Sequence, residues 1–179
     1  MPKATSITKE IIIASAFEIV RRDGFSSLSA RNISKEIRCS TQPIYWIYKN
    51  MDDLKQDVIS KMIVYLRDII TNYKKTGKPF LDYGLGYIDA AYTEPTLFKA
   101  IYVDNIMERK ITDIIPEKTM FEIMRQDTCT ADISDDKLLD TAIKAWISVH
   151  GLASLIASRM MIYDEDKIRY LLESFFTNT

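Results

Sequence analysis

Three short amphipathic segments, each with its own start and stop signals, lie before residue 50, and they constrain the chain more than any other feature. Ile11, Ile12, Ile13, Ala16, Phe17, Ile19 and Val20 recur at helical spacing, and Gly24 follows the basic pair Arg21 and Arg22 where a helix can stop. Ser29 is positioned to cap a second helix running to about Ile37. Ser40 or Thr41 can cap a third running to about Ile47, with Pro43 in its first turn, where a missing N–H costs little. Packing three such helices leaves Ile13, Phe17, Val20, Phe25, Ile33, Ile37, Ile44 and Tyr48 as a shared core. The spacing therefore predicts a small head that folds around its own interior.

The remainder also reads as helices. Asn50 can cap a fourth, with Asp52 and Asp53 in its favourably charged first turn. One apolar stripe of this helix runs Leu54, Val58, Met62, Tyr65 and Ile69, and a neighbouring one runs Ile59, Ile63, Leu66 and Ile70. A helix apolar on two sides is suited to joining a head to a body. Gly77 and Pro79 break the pattern before an aromatic-rich segment from Phe80 to Ile88, in which Gly84 and Gly86 predict irregularity. Pro95 and Pro116 mark starts for helices over 94–108 and 117–126. A long pattern of Leu139, Ala142, Trp146, Val149, Ala153, Ile156 and Met160 precedes a helix over 165–176 carrying Ile168, Leu171, Leu172, Phe175 and Phe176. This hairpin seeks a core or a partner chain. The expectation is an all-α protein, with a helix-turn-helix head over 1–50 and a helical body over 51–179.

Composition narrows the function. With 47% apolar residues, 27% charged, and only five Gly and five Pro, the chain is neither disordered nor turn-rich. Residues 1–55 hold nine Lys or Arg against six Asp or Glu, although the whole chain has a net charge of -1. A basic head on an acidic body suits a local nucleic-acid footprint. Cys39 and Cys129 in a chain with no signal-peptide layout fit a reducing cytoplasm, and no apolar run is long enough for a membrane span. His150 is the sole histidine, no carboxylate pair stands out, and there is no glycine-rich phosphate loop. The expectation is a non-enzyme without metal or cofactor.

The segments AFEIVRRDGFSSLS, ARNISKEIRCS and TQPIYWIYKNMDDL, within Ile12 to Leu54, resemble the DNA-binding domain of the tetracycline-repressor (TetR/AcrR) family of transcriptional regulators. The resemblance implies that the third helix enters the major groove of operator DNA, with Thr41, Gln42, Pro43, Tyr45 and Trp46 at or beside the duplex. Glutamine can pair bidentately with adenine, and proline or a threonine methyl can touch a thymine methyl. Gln42 is thus the leading base reader. Ser29, Arg31, Tyr45, Lys49 and Lys55 are assigned to phosphates or to positioning. Ser29 serves equally as a helix cap, and Arg31 and Lys49 as solvated charges. Arg38 stands where the family commonly has Gly, and Met51 where it has Lys. The first departure costs about 1 kcal/mol if the turn is left-handed.

The run W-I-S-V-H-G from Trp146 to Gly151 resembles the WHG-type body of some regulators of this family. That resemblance implies an effector-responsive core and a homodimer formed through the last two helices. Tyr83, Tyr87, Phe98, Tyr102, Phe121, Met124, Trp146 and His150 are candidates to line a cavity for a small apolar or aromatic effector, with ordinary core packing as the alternative for each. The expected function is that of a repressor acting on a palindromic operator. Two others stay open: an enzyme or metabolite-binding protein whose head is only a scaffold, and an architectural DNA-binding protein without an effector.

Overall fold

A computed structural model describes residues 7–108, 117–128 and 130–177, without the side chains of 117–119 and 175–177. Cys129 and Pro116 therefore lie outside the described residues, as do the Phe175 and Phe176 side chains. The described elements are all helical. They are α1 (Lys9–Asp23), a 3-10 turn (Phe25–Ser27), α2 (Ala30–Glu36), α3 (Gln42–Ile47), α4 (Met51–Asn72), α5 (Pro79–Thr93), α6 (Pro95–Phe98, continued by a π-helical turn Lys99–Val103), α7 (Glu117–Gln126), α8 (Asp135–Ala157) and α9 (Glu165–Thr177). The chain divides into two compact units, Met1–Tyr65 and Leu66–Thr179. That division falls within α4, so its first four turns belong with the head, beyond the 50/51 boundary that the sequence suggested.

In the head, the local signals act as anticipated. Thr8 caps α1 by accepting the Ile11 N–H, and α1 ends at Gly24, whose φ of 87° only glycine adopts cheaply. Ser29 caps α2 by accepting the Asn32 N–H at 3.2 Å, and Asn50 accepts the Asp53 N–H at 2.8 Å at the start of α4. Pro43 sits in the first turn of α3. The core differs in register. Ile12 and Ile19 are fully buried, whereas Ile13, Phe25 and Ile37 are only half-buried. With isoleucine at 11, 12 and 13, spacing alone does not say which of the three faces inward.

In the body, α5 runs along α8 and also packs on α7 and α9. Gly84 and Gly86 do not interrupt α5, against expectation. A Cβ on Gly86 would lie 2.5 Å from the Ile70 carbonyl oxygen and 2.8 Å from Tyr73 Cβ, so this glycine lets the end of α4 and the following residue close onto α5. Asp127 supplies a cap across the chain, its carboxylate accepting the Phe80 N–H at 3.0 Å. Leu138, not Leu139, is the buried residue at the start of α8. Met160 falls beyond the helix and is exposed, because α8 ends at Ala157 and Arg159 turns the chain with a φ of 58°. No helix among the described residues is long and apolar enough to cross a membrane.

Candidate functional site

The six residues of α3 divide cleanly between interior and solvent. Ile44 is fully buried and Tyr48, just past the helix, nearly so, which fixes the helix on the head. Between these anchors Tyr45 is 53% and Trp46 75% exposed. Gln42 and Thr41 are also exposed, while Pro43 is half-buried. Large aromatic side chains left in water on a well-anchored helix form a surface prepared for a partner. Ile47, exposed to 36%, extends the same surface, and sequence reasoning did not single it out.

The other candidates surround this face in different roles. Arg31 and Lys49 are exposed, as a solvated charge or a phosphate contact requires. Ser29 is half-buried and already engaged as the α2 cap. Lys55 pairs with Asp52 at 2.9 Å across an exposed surface, an interaction weak enough for another anion to displace. Arg38 adopts a φ of 54°, so the turn between α2 and α3 is left-handed and is made here by an arginine rather than by the glycine that the sequence resemblance leads one to expect.

A tie that the sequence did not reveal braces α3. The Tyr48 hydroxyl donates to Asp57 at 2.8 Å, and the Lys9 ammonium pairs with the same carboxylate at 2.7 Å while lying 5.4 Å from the Tyr48 ring centre. Lys9, and then Tyr48, hold the Asp57 carboxyl below its ordinary pKa. Burial, with Asp57 beside it, pushes the Tyr48 hydroxyl up. The start of α1, the end of α3 and the second turn of α4 are thereby joined.

In the body the candidates separate into three groups. Tyr83, Tyr87 and Trp146 border a cavity with about 30 Å³ of open space, together with Phe80, Gly84, Met120, Ala142, Ala145 and Val149. Phe98, Tyr102 and His150 gather around Tyr87, whose ring centre is 5.0 Å from Phe98 and 5.2 Å from Tyr102. Phe121 packs against the apolar cluster of Phe80, Met120, Met124, Leu138, Ala142 and Ala145. Met124 is fully buried within that cluster and is not among the cavity-lining residues, so it fills the core.

His150 is tied on both ring nitrogens. The Tyr87 hydroxyl lies 3.0 Å from Nδ1, and Ser154 Oγ lies 3.4 Å from Nε2. In the neutral ring that carries its proton on Nε2, Tyr87 donates and Ser154 accepts. Trp146 stacks on this imidazole at 4.5 Å, and burial lowers the His150 pKa. Burial likewise pushes the Tyr87 hydroxyl up, with Tyr102 and Tyr83 adding to it. The Trp146 Nε1 is buried and makes no hydrogen bond, although its N–H is near enough to favour the Tyr87 phenolate slightly.

A second, larger cleft of about 470 Å³ was not anticipated. It is bordered by Ile70, Thr71, Tyr73, Lys74, Gly77, Pro79, Asp82, Tyr83, Ile123 and Gln126. Its residues come from the end of α4, the following turn, α5 and α7, and no single helical stripe in the sequence announces them. Among the described residues no group of three His, Cys, Asp or Glu side chains could hold a metal ion.

No family model matches the chain, and no curated protein matches it in sequence. Its folded shape does have counterparts. A transcriptional regulator from Rhodococcus sp. RHA1 superposes with a TM-score of 0.64 at 14% identity, covering 95% of this chain and 94% of that one. A second, TetR-like regulator from the same organism gives 0.61 at 14% identity, covering 98% and 96%. BioQ, solved with its natural double-stranded DNA operator, gives 0.57 at 16% identity, covering 97% and 99%. The fold is that of the TetR-like regulators. The likeness extends over nearly the full length in each case, so the TetR-like architecture includes the body as well as the helix-turn-helix head.

Proposed function

We propose that the chain is a TetR-family transcriptional regulator, a repressor that binds a palindromic operator as a homodimer and is released by a small apolar or aromatic effector. The observation that carries this reading is the face of α3. Gln42, Tyr45 and Trp46 stand in solvent on a helix anchored by Ile44, in a fold shared with BioQ bound to its operator. Thr41, Gln42, Pro43, Tyr45 and Trp46 meet bases or their flanks, and Ser29, Arg31, Lys49 and Lys55 hold the phosphates. An architectural role without an effector is the rival reading, and it predicts no ligand-dependent release.

The dimer reading is supported by the outward sides of the last two helices. Leu139, Ile147 and Leu155 are exposed on α8, and Tyr170 and Leu171 on α9. Gly151 lies on the exposed part of α8 with nothing within 4 Å of where its Cβ would be, which suits close approach by a second helix. A two-fold pair sets recognition helices about 34–36 Å apart, or at a helical-turn multiple, and so demands a near-palindromic site. The WHG type of body and the reducing cytoplasm belong to the same reading.

Recovery and sequencing of genomic fragments bound by the purified protein tests it. The expected result is an inverted-repeat motif, and Gln42→Ala changes base preference within it by roughly 1–3 kcal/mol while Lys49→Ala weakens all sequences alike. Fragments enriched without any shared motif, or light scattering that gives a monomer with and without DNA, would remove the regulator reading.

A further inference from the structure

Resting on the DNA-binding reading of α3, we infer that Asp57 is a positioning residue for base reading, its carboxylate acting through the Tyr48 hydroxyl to set the direction in which α3 presents Gln42 and Tyr45. With six residues, α3 is too short to hold a direction by itself. Thr41 gives its start no side-chain cap, and the two side chains that sink deepest, Ile44 and Tyr48, lie one turn apart on one face. Apolar burial has no preferred direction, so these two fix how deep the helix sits and leave it free to rock. The bond from the Tyr48 hydroxyl to Asp57 at 2.8 Å is the only side-chain hydrogen bond made by residues 41–48 among the described residues.

A hydrogen bond to an ionised acceptor is both directional and strong. The Lys9 ammonium at 2.7 Å keeps the Asp57 carboxylate ionised, and burial keeps the Tyr48 hydroxyl protonated, so donor and acceptor hold those roles. Asp57 in turn stands on α4, whose first turn is fixed by the Asn50 cap. The consequence falls unequally on the two kinds of DNA contact. Hydrogen bonds to base edges fade over a few tenths of an ångström and at angles below about 120°. Attraction of cations to phosphates reaches about 10 Å at moderate salt and tolerates a shifted helix. Loosening α3 therefore removes discrimination among sequences and spares attraction to duplex DNA in general. The body supplies a matched control, because the same trio recurs there. The Tyr73 hydroxyl donates to Glu165 at 3.0 Å, and Lys75 pairs with that carboxylate at 2.8 Å while lying 4.6 Å from the Tyr73 ring centre. Tyr73 is also buried, yet its trio holds no part of α3.

Selection by the full chain from a duplex library with a randomised core of about 20 base pairs supplies the probes, namely the most enriched duplex and a scrambled version of it. The ratio of the two affinities, measured by fluorescence anisotropy, is the readout, because a partly unfolded variant loses both affinities equally and leaves the ratio unchanged. Tyr48→Phe is expected to lower the ratio about fivefold to tenfold, with affinity for the scrambled duplex unchanged within about twofold. Asp57→Ala should match it, and the double variant should lose no more than either single one, since both changes remove the same bond. Asp57→Asn keeps an oxygen for the hydroxyl and should retain most of the ratio, and Tyr73→Phe should leave it unaltered. An unchanged ratio in a folded Tyr48→Phe or Asp57→Ala, additive losses in the double variant, or an equal fall in Tyr73→Phe overturns the positioning role. Should Tyr48→Phe fail to fold, the contrast between Asp57→Ala and Asp57→Asn decides it, and equal ratios in those two overturn it. Enrichment of no motif by the unmodified protein would instead remove the DNA-binding reading, and this role with it.

Discussion

In the head, Ile44 and Tyr48 are sunk into the core while Tyr45 and Trp46, on the same short segment, stand in solvent. In the body the large aromatic rings of Tyr87 and Phe98 are buried, yet beside them a chamber stays open and an indole N–H stays unpaired. The first unit keeps its large aromatic recognition surface outside, and inside it only the small Ser15 Oγ is buried without a hydrogen bond among the described residues. The second keeps unused capacity inside. A rigid interior with a sticky exterior suits recognition of a large, fixed shape such as duplex DNA. An underfilled interior suits a small molecule that completes it.

The strongest way to break this comparison is to remove the head's anchor. Ile44→Ala should cost about 2–5 kcal/mol, since the side chain is fully buried and its cavity has little to collapse onto. Denaturant unfolding would show the loss, and DNA binding should vanish while uptake of aromatic ligands by the body persists. The reciprocal change is Gly86→Ala. Its Cβ would meet the Ile70 carbonyl and Tyr73 Cβ, so the body should lose about 1–3 kcal/mol and ligand uptake should fall before DNA binding does. If either variant abolished both activities to the same degree, the two units would not carry separable functions.

Much of the head was legible because its signals are local. Ser29, Asn50, Gly24 and Pro43 each act within three or four residues of where they stand, and each does what its chemistry at that spacing dictates. What could not be read depends on distant or equivocal partners. Lys9, Tyr48 and Asp57 come together from three helices, and no pattern in the sequence distinguishes that carboxylate from its neighbours. Ile12 against Ile13, and Leu138 against Leu139, are adjacent residues of near-identical chemistry, so only the packed structure chooses between them. In the body, the aromatic candidates were recognisable as residues with area to bury. Their sorting into chamber, cluster and filler was not, since it depends on where α5, α7 and α8 leave a gap. Gly84 and Gly86 misled because their local cost is plain in sequence and their packing benefit is not.

Arg38 offers a smaller effect that sharpens the contrast. Replacing it with Gly should stabilise the head by up to about 1 kcal/mol, because φ of 54° strains a side-chain-bearing residue. The same change should weaken binding to unrelated DNA through loss of a cation, so thermal denaturation and salt-dependent binding would move in opposite directions. Greater stability without any loss of DNA affinity would show that the Arg38 charge contributes nothing to DNA binding.

The smallest expected effect is the order in which the units respond to acid. His150 has its pKa lowered by burial, so the unfolded chain takes up that proton first, and the body's stability declines as pH falls from the ordinary imidazole value of about 6.5. Asp57 has its pKa lowered by Lys9 and Tyr48, so its contribution to the head is present above the ordinary carboxylate value of about 3.9 and is lost below it. Unfolding measured across both pH ranges should therefore show the body weakening first. His150→Gln should flatten the upper limb alone, and Asp57→Asn the lower one. A His150→Gln variant with an unaltered pH profile would exclude the imidazole as its source.

The π-helical turn Lys99–Val103 has a consequence for how this chain tolerates change in length. The Asp104 N–H reaches back to the Lys99 carbonyl at 2.8 Å, a bond that spans one residue more than a regular helix allows. Tyr102 lies within that turn, its ring centre 5.2 Å from Tyr87 and 5.1 Å from Phe98. Deleting one residue ahead of Tyr102 would let the segment relax into an ordinary helix and rotate its remaining residues by about 100°, carrying the tyrosine off the aromatic group. The turn carries one residue more than a regular helix would, and the tyrosine within it is the one that meets Tyr87 and Phe98. Point substitutions can tune that group one contact at a time, whereas a single deletion here would dismantle one side of it in one step.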